Sequence, residues 1–260
     1  MLKLEEIRTF YPENLHKFPG FMIREYLQYK ILDFIYKSDF ANSLSFMGGT
    51  CLRIIHGNHR FSEDLDFDNL GIKGEDFEKL TRHITTQLER EGYEVEIKTV
   101  MRGAWHCYIR FPRLLFDGGL SGYKNEKILI QLDTEPQDYV YSPKRIILNK
   151  FEVFSAVLCT PLSLLLAQKY LAILNRPRKK GRDFYDVLFL NSKNISPDYQ
   201  YLKNKAEIEE PRMLKDALEN VCKDLDMNLI AKDVEPFLFD PGDQDRILFF
   251  YEYLQSIFSE

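Results

Sequence analysis

Phe46-Met-Gly-Gly-Thr-Cys-Leu52, followed by Arg60-Phe-Ser-Glu-Asp-Leu-Asp-Phe67, is the stretch whose reading decides the fold. The first piece reads as a strand end that runs into a Gly-Gly-Thr turn and then an apolar helix start. The second leads into a strand in which Asp64 and Asp66 alternate with Leu65 and Phe67. Alternation on a strand puts both carboxylates on one face and both apolar groups on the other. A glycine turn lets backbone N–H groups approach phosphate oxygens closely. Two parallel carboxylates suit magnesium, which favours carboxylate oxygen and retains several waters. Turn and acidic strand together are the minimum apparatus for moving a nucleotide.

The remaining composition is compatible with that reading. The chain has 260 residues, 45% of them apolar and 29% charged, enough for one large domain or two modest ones. A net charge of −5 argues against a general nucleic-acid coat, though not against a local basic groove. Twenty Phe and fifteen Tyr mostly serve a core. Cys51, Cys107, Cys159 and Cys222 lie far apart without zinc spacing and read as reduced thiols. The opening Met1-Leu-Lys-Leu-Glu-Glu lacks a signal-peptide core, and no apolar run has the length of a membrane span. A soluble cytoplasmic protein without a membrane partner is expected.

Periodicity places a long helix over 21–40, a strand at 44–47, a helix from Thr50 to His56 and a strand over 64–69. A helix over 75–91 and strands at 93–100, 105–111 and 127–133 follow, with 139–154 reading as irregular. Beyond Thr160-Pro161 the pattern turns helical, over 162–175, 182–192, 212–223 and 243–258. The expectation is an α+β protein: a mixed sheet flanked by helices over 1–157, then a helical domain over 158–260.

Asp64 and Asp66 are the proposed metal pair, and nucleotidyl transfer commonly uses two magnesium ions. Asp68 shares their face, so a shifted pair of Asp66 and Asp68 stays open. Asp133, at the end of an apolar strand, is the candidate third ligand or general base. Gly48, Gly49 and Thr50 are the phosphate cradle, and Arg60 and Ser62 flank the metal strand. Lys169 sits on an apolar helix, while Asp183 and Asp186 share a face of the next one. Arg176-Pro-Arg-Lys-Lys-Gly-Arg182 is the most basic run and includes Arg182, a candidate contact for NTP or RNA phosphates. The five histidines, His106 included, have no metal-ligand partner at suitable spacing and read as structural or surface residues.

The two early motifs, with Lys169-Tyr-Leu-Ala172 and Gly181-Arg-Asp-Phe-Tyr-Asp186, resemble the AbiEii/AbiGii nucleotidyltransferase toxins of the DNA polymerase beta-like superfamily. The resemblance spans about residues 20–195. It implies a nucleotidyltransferase core and transfer of a nucleotide from an NTP, in known cases to the 3′ end of tRNA. It further implies a cognate antitoxin protein. In this sequence Gly48, Gly49 and Thr50 would then hold phosphates, and Asp64 and Asp66 magnesium. Lys169 would touch the triphosphate, and Asp183 or Asp186 would organise the site. Two other readings stand beside this one. One is transfer to a protein or aminoglycoside-like hydroxyl; the other is an NTP-binding module without turnover.

Overall fold

The computed structural model describes residues 1–258, which divide into two compact units. The first comprises Met1–His56 and Phe61–Thr160. In chain order it contains α1 (Leu4–Arg8), α2 (Pro19–Tyr36), β1 (Leu44–Met47), α3 (Gly48–Ile54), β2 (Leu65–Asn69) and α4 (Gly74–Arg90). Next come β3 (Glu96–Arg102), β4 (Ala104–Pro112), α5 (Leu114–Asp117), β5 (Lys127–Pro136), β6 (Lys144–Lys150) and β7 (Val153–Cys159). All seven strands form one mixed sheet in the order β3-β4-β5-β2-β1-β7-β6. The central pairs β2–β5 and β1–β7 are parallel and the others antiparallel. The expected mixed-sheet α+β core is therefore present.

Helix α2 is the spine of this unit. Pro19 presets its first turn, and from Met22 to Tyr36 nearly every residue is buried, whichever face it lies on. Its buried polar groups survive because each is matched. Glu25 meets Arg53 at 2.7 Å and Lys150 at 2.8 Å, and Lys30 meets Glu91 at 2.7 Å. The Gln28 amide donates to the carbonyls of Ser62 and Glu63 at 3.0 and 2.9 Å. Helix α4 is simpler: Phe77, Leu80, Ile84 and Leu88 form its buried stripe, each worth about 1.5–3 kcal/mol when fully desolvated.

Several element boundaries differ from the periodicity reading. Asp64 precedes β2, and β3 begins at Glu96. Strand β5 runs on to Pro136, so Asp133 lies inside it. The stretch read as irregular holds the β6–β7 hairpin. Its turn lacks the usual Asn-Gly signal: Phe151 adopts a left-handed φ of 57°. The Phe151 ring compensates by packing on Phe10, Tyr26 and Tyr29 at centroid distances of 4.8–5.3 Å.

The second unit comprises Gly57–Arg60 and the described residues from Pro161 onward. It contains α6 (Leu162–Asn175), α7 (Gly181–Asn191), α8 (Tyr199–Ala206), α9 (Pro211–Cys222), α10 (Met227–Val234), α11 (Asp245–Leu248) and α12 (Phe250–Ile257). Helices α8 and α10 lie in stretches the periodicity left unassigned, and the expected helix over 243–258 breaks at Phe249. Among the described residues no helix is long and apolar enough to cross a membrane.

Helix α7 starts hard against α10. A Cβ on Gly181 would lie 2.1 Å from the Ile230 carbonyl oxygen, and the Gly181 N–H donates to Asp233 at 2.9 Å. Gly181→Ala should lower unfolding free energy by about 1–3 kcal/mol. Gly20→Ala in α2, where nothing lies within 4 Å, should be neutral or stabilising by up to about 1 kcal/mol. Urea denaturation of both variants checks the contrast, and equal effects would contradict it.

Candidate active site

The glycine turn and the acidic strand are clamped together within the first unit. Met47 is extended and pairs with Asp66 across the antiparallel β1–β2 ladder. Gly48 then turns at φ +75°, a conformation that costs a residue with a Cβ. A Cβ there would also fall 2.2 Å from Asp66 Oδ2. Only glycine allows the carboxylate to lie against this backbone. From the next turn of α3, the buried Thr50 hydroxyl donates to the Asp64 carbonyl. Thr50, expected to offer its hydroxyl to phosphate, thus has that hydroxyl engaged in holding the acidic segment. Gln28 grips the two preceding carbonyls, and Arg24 meets Glu63 at 2.9 Å. Asp64 is fixed from three sides.

The acids on β2 divide by environment. Leu65 and Phe67 are buried on one face, whereas Asp64 and Asp66 on the other are half-buried. Asp68 shares the acidic face but is 0% exposed. It accepts from the Tyr141 hydroxyl at 2.5 Å and the Thr160 hydroxyl at 3.1 Å, and Thr160 is also within 3.1 Å of Ser45. Burial, then the Asp68 charge, pushes the Tyr141 hydroxyl up, keeping it a donor. Asp68 Oδ2 is therefore engaged with hydroxyl groups, whereas Asp64 and Asp66 are only half-buried.

Asp133 registers directly beside Asp66 on the parallel β2–β5 ladder, which puts both on one face. It also sits opposite His106 on β4. His106 Nδ1 lies 2.7 Å from Asp133 Oδ1, and the Gln131 amide donates to both carboxylate oxygens at 2.8 Å. His106, read as structural or surface from sequence, is thus a neighbour of the candidate site. So is Gln131, which carries no sequence signal. Among the described residues no three His, Cys, Asp or Glu side chains form a ready-made metal cage. Magnesium does not need one: one or two carboxylates, waters and substrate phosphates suffice. The hard oxygen donors of Asp64 and Asp66, next to a backbone cradle that a Cβ would fill, fit that ion.

The later candidates assemble in the second unit. Asp186, at 0% exposure, accepts from Asn58 at 2.7 Å and from Arg60 at 2.8 and 2.6 Å. Lys169 Nζ lies 2.8 Å from both Asp183 and Asp186, and Arg176 is 3.4 Å from Asp183. Asp183 and Asp186 are both buried in this network, so neither alone is the inward acid. Burial opposes ionisation of Asp186, but Arg60 and Lys169 overcome it and hold its carboxyl down to about 2. Lys169 and Arg60 are raised by the same partners against burial. Arg182 stacks over Phe237 at 4.5 Å, and Arg178 is largely exposed in the basic loop. The cluster thus pins Gly57–Arg60 to α6 and α7.

The depressed Asp186 carboxyl contributes stability that is complete above about pH 4 and is lost as pH falls towards 2, a difference of about 2 kcal/mol. Asp186→Asn should flatten the decline in unfolding free energy between pH 4 and 2 by about that amount. Chemical denaturation across this range decides it; identical slopes would assign the acid sensitivity elsewhere.

With the geometry established, comparison with known proteins adds the lineage. No functionally curated protein matches the chain in sequence. Among solved structures, JHP933 from Helicobacter pylori is 16% identical, with 92% of each chain covered and a TM-score of 0.55. A candidate nucleotidyltransferase from H. pylori is 17% identical, covering 92% of this chain and 94% of its own, with a TM-score of 0.54. At such identity these likenesses show the fold alone. The model of the nucleotidyl transferase AbiEii toxin family, type IV toxin–antitoxin system, matches residues 30–251. The chain belongs to the AbiEii toxin family of nucleotidyltransferases.

Proposed function

We propose that this enzyme transfers a nucleoside monophosphate from an NTP to the 3′ end of tRNA in a magnesium-dependent reaction. In the cell it acts as the toxin of a pair restrained by its cognate antitoxin. The observation that carries the reading is the pair of half-buried carboxylates, Asp64 and Asp66, clamped to the glycine turn at Gly48. Magnesium, when bound, neutralises phosphate charge and polarises the reacting phosphorus. Asp64 and Asp66 hold that ion, and the Gly48–Gly49 backbone admits phosphate close to them. Thr50 keeps turn and acids in register. Asp133, oriented by His106 and Gln131, stands beside Asp66 to accept the proton of the attacking hydroxyl. The exposed cations of the 176–182 loop suit an RNA backbone.

The net charge of −5 favours a second acceptor class, cationic small molecules such as aminoglycosides. An acceptor panel of tRNA, protein and aminoglycoside with each α-labelled NTP separates the two.

Asp64→Asn and Asp66→Asn should each cut label transfer by at least about a hundredfold with the fold retained. Full activity in either variant would remove the metal assignment. Chelation should abolish transfer and added magnesium restore it. Gly48→Ala should displace the Asp66 carboxylate and reduce turnover comparably. A Gly48→Ala enzyme with normal kcat would show that the close approach is not needed.

A further inference from the structure

The sheet of the first unit has two unlike faces. On one, Cys107, Ile109 and Phe111 of β4 and Ile128, Ile130 and Leu132 of β5 are at most 2% exposed. Aromatic rings cover that face: Trp105 meets Phe77 of α4 at 5.5 Å, and Phe111 meets Tyr93 at 5.7 Å. The alternate residues point the other way, onto the face that carries Asp66 and Asp133. There β4 presents His106, Tyr108 and Arg110 in a row, all half-buried, and β3 sets the exposed Lys98 opposite Tyr108. His106 stands opposite Asp133, which is beside Asp66. By strand spacing, Tyr108 is therefore roughly 12 Å from Asp66. Its ring lies 6.2 Å from the His106 ring and 5.5 Å from the Arg110 guanidinium. Charge changes sign along this face. Glu135 lies past Asp133, away from Tyr108, and Lys127 is cancelled by Glu96 at 2.7 Å. Lys98 and Arg110 make no ion pair among the described residues.

We propose that this row is a platform for the single-stranded 3′ end of an RNA acceptor, with a base near the reacting nucleotide stacked on Tyr108 and the following phosphates held by Arg110 and Lys98. The inference rests on the nucleotidyl transfer proposed above and adds where the acceptor strand lies. Continuity carries it: the row starts at the residue that contacts Asp133 and runs away from the acids into uncancelled positive charge. An aromatic ring flanked by cations takes an unstacked base of any identity while the cations follow the backbone. A duplex offers no such base, because its bases are stacked inside the helix. An acidic protein partner would use Lys98 and Arg110 but would have no need of the Tyr108 ring.

The full chain, in chelator so that no transfer occurs, is titrated by fluorescence anisotropy with a 5′-labelled RNA hairpin bearing a short single-stranded 3′ tail, and with its blunt counterpart. The tailed hairpin should bind more tightly. Tyr108→Ala should weaken the tailed hairpin about tenfold and leave the blunt one unchanged, while Tyr108→Phe keeps the original affinity. Arg110→Gln and Lys98→Gln should each reduce the slope of log affinity against log salt by about 0.7. Equal affinity for the two hairpins, a tail preference that survives Tyr108→Ala, or salt slopes unmoved in both cation variants would overturn the proposal. Polyglutamate competing as well as unlabelled tailed hairpin would overturn it too, as the mark of an acidic protein partner. The two readings fail separately. A Tyr108-dependent tail preference without label transfer to tRNA sinks the transferase reading alone. Transfer to tRNA with an unaltered KM in Tyr108→Ala sinks the platform alone.

Discussion

The near-contact between the Gly48 backbone and the Asp66 carboxylate is the constraint around which the first unit is arranged. It exists because β1 stops at Met47, directly opposite Asp66, and the chain turns at once into α3. Any side chain at position 48 would force the strand end and the acid apart. The Thr50 hydroxyl on the Asp64 carbonyl then fixes the angle of the turn, and Gln28 fixes the approach from α2. Helix, turn and strand are held by directional bonds to backbone atoms.

The molecule buries its carboxylates in two different ways. Asp68 is met by hydroxyl groups, which donate to its Oδ2 but carry no opposite charge. Asp186 is met by cations, with Arg60 presenting two nitrogens to it in a forked contact. Taking such ions out of water costs several kcal/mol apiece, so networks of this kind add little net stability beyond an apolar equivalent. They do penalise every arrangement in which one partner is missing. That suits a cluster that fixes a four-residue crossover, Gly57–Arg60, on two helices.

Local chemistry was readable from the chain and register was not. The turn at Gly48-Gly49 and the alternation of Asp64 and Asp66 are short-range patterns, as are β1 and α6, whose bounds fall where the periodicity puts them. That Asp133 lies beside Asp66 and opposite His106 depends on how β5 aligns with two neighbours, information no single segment contains. The β6–β7 hairpin escaped because its turn is held by aromatic packing on Phe151 and not by a turn-forming dipeptide. Thr50 misled for another reason: a hydroxyl near a helix start suits phosphate or protein equally, and here the Asp64 carbonyl is within reach. The helices α8 and α10 are only eight residues long, too short for periodicity to mark them, and tertiary packing decides them.

The Arg60–Asp186 pair spans 126 residues of sequence, which bears on the order of events during synthesis. A ribosome adds about 5–20 residues per second, so roughly 6–25 s separate the two halves of this ion pair as the chain is made. Throughout that interval the segment between the glycine turn and the acidic strand lacks its anchoring partners. The Gly57–Arg60 segment therefore gains its anchor only once α7 has been built.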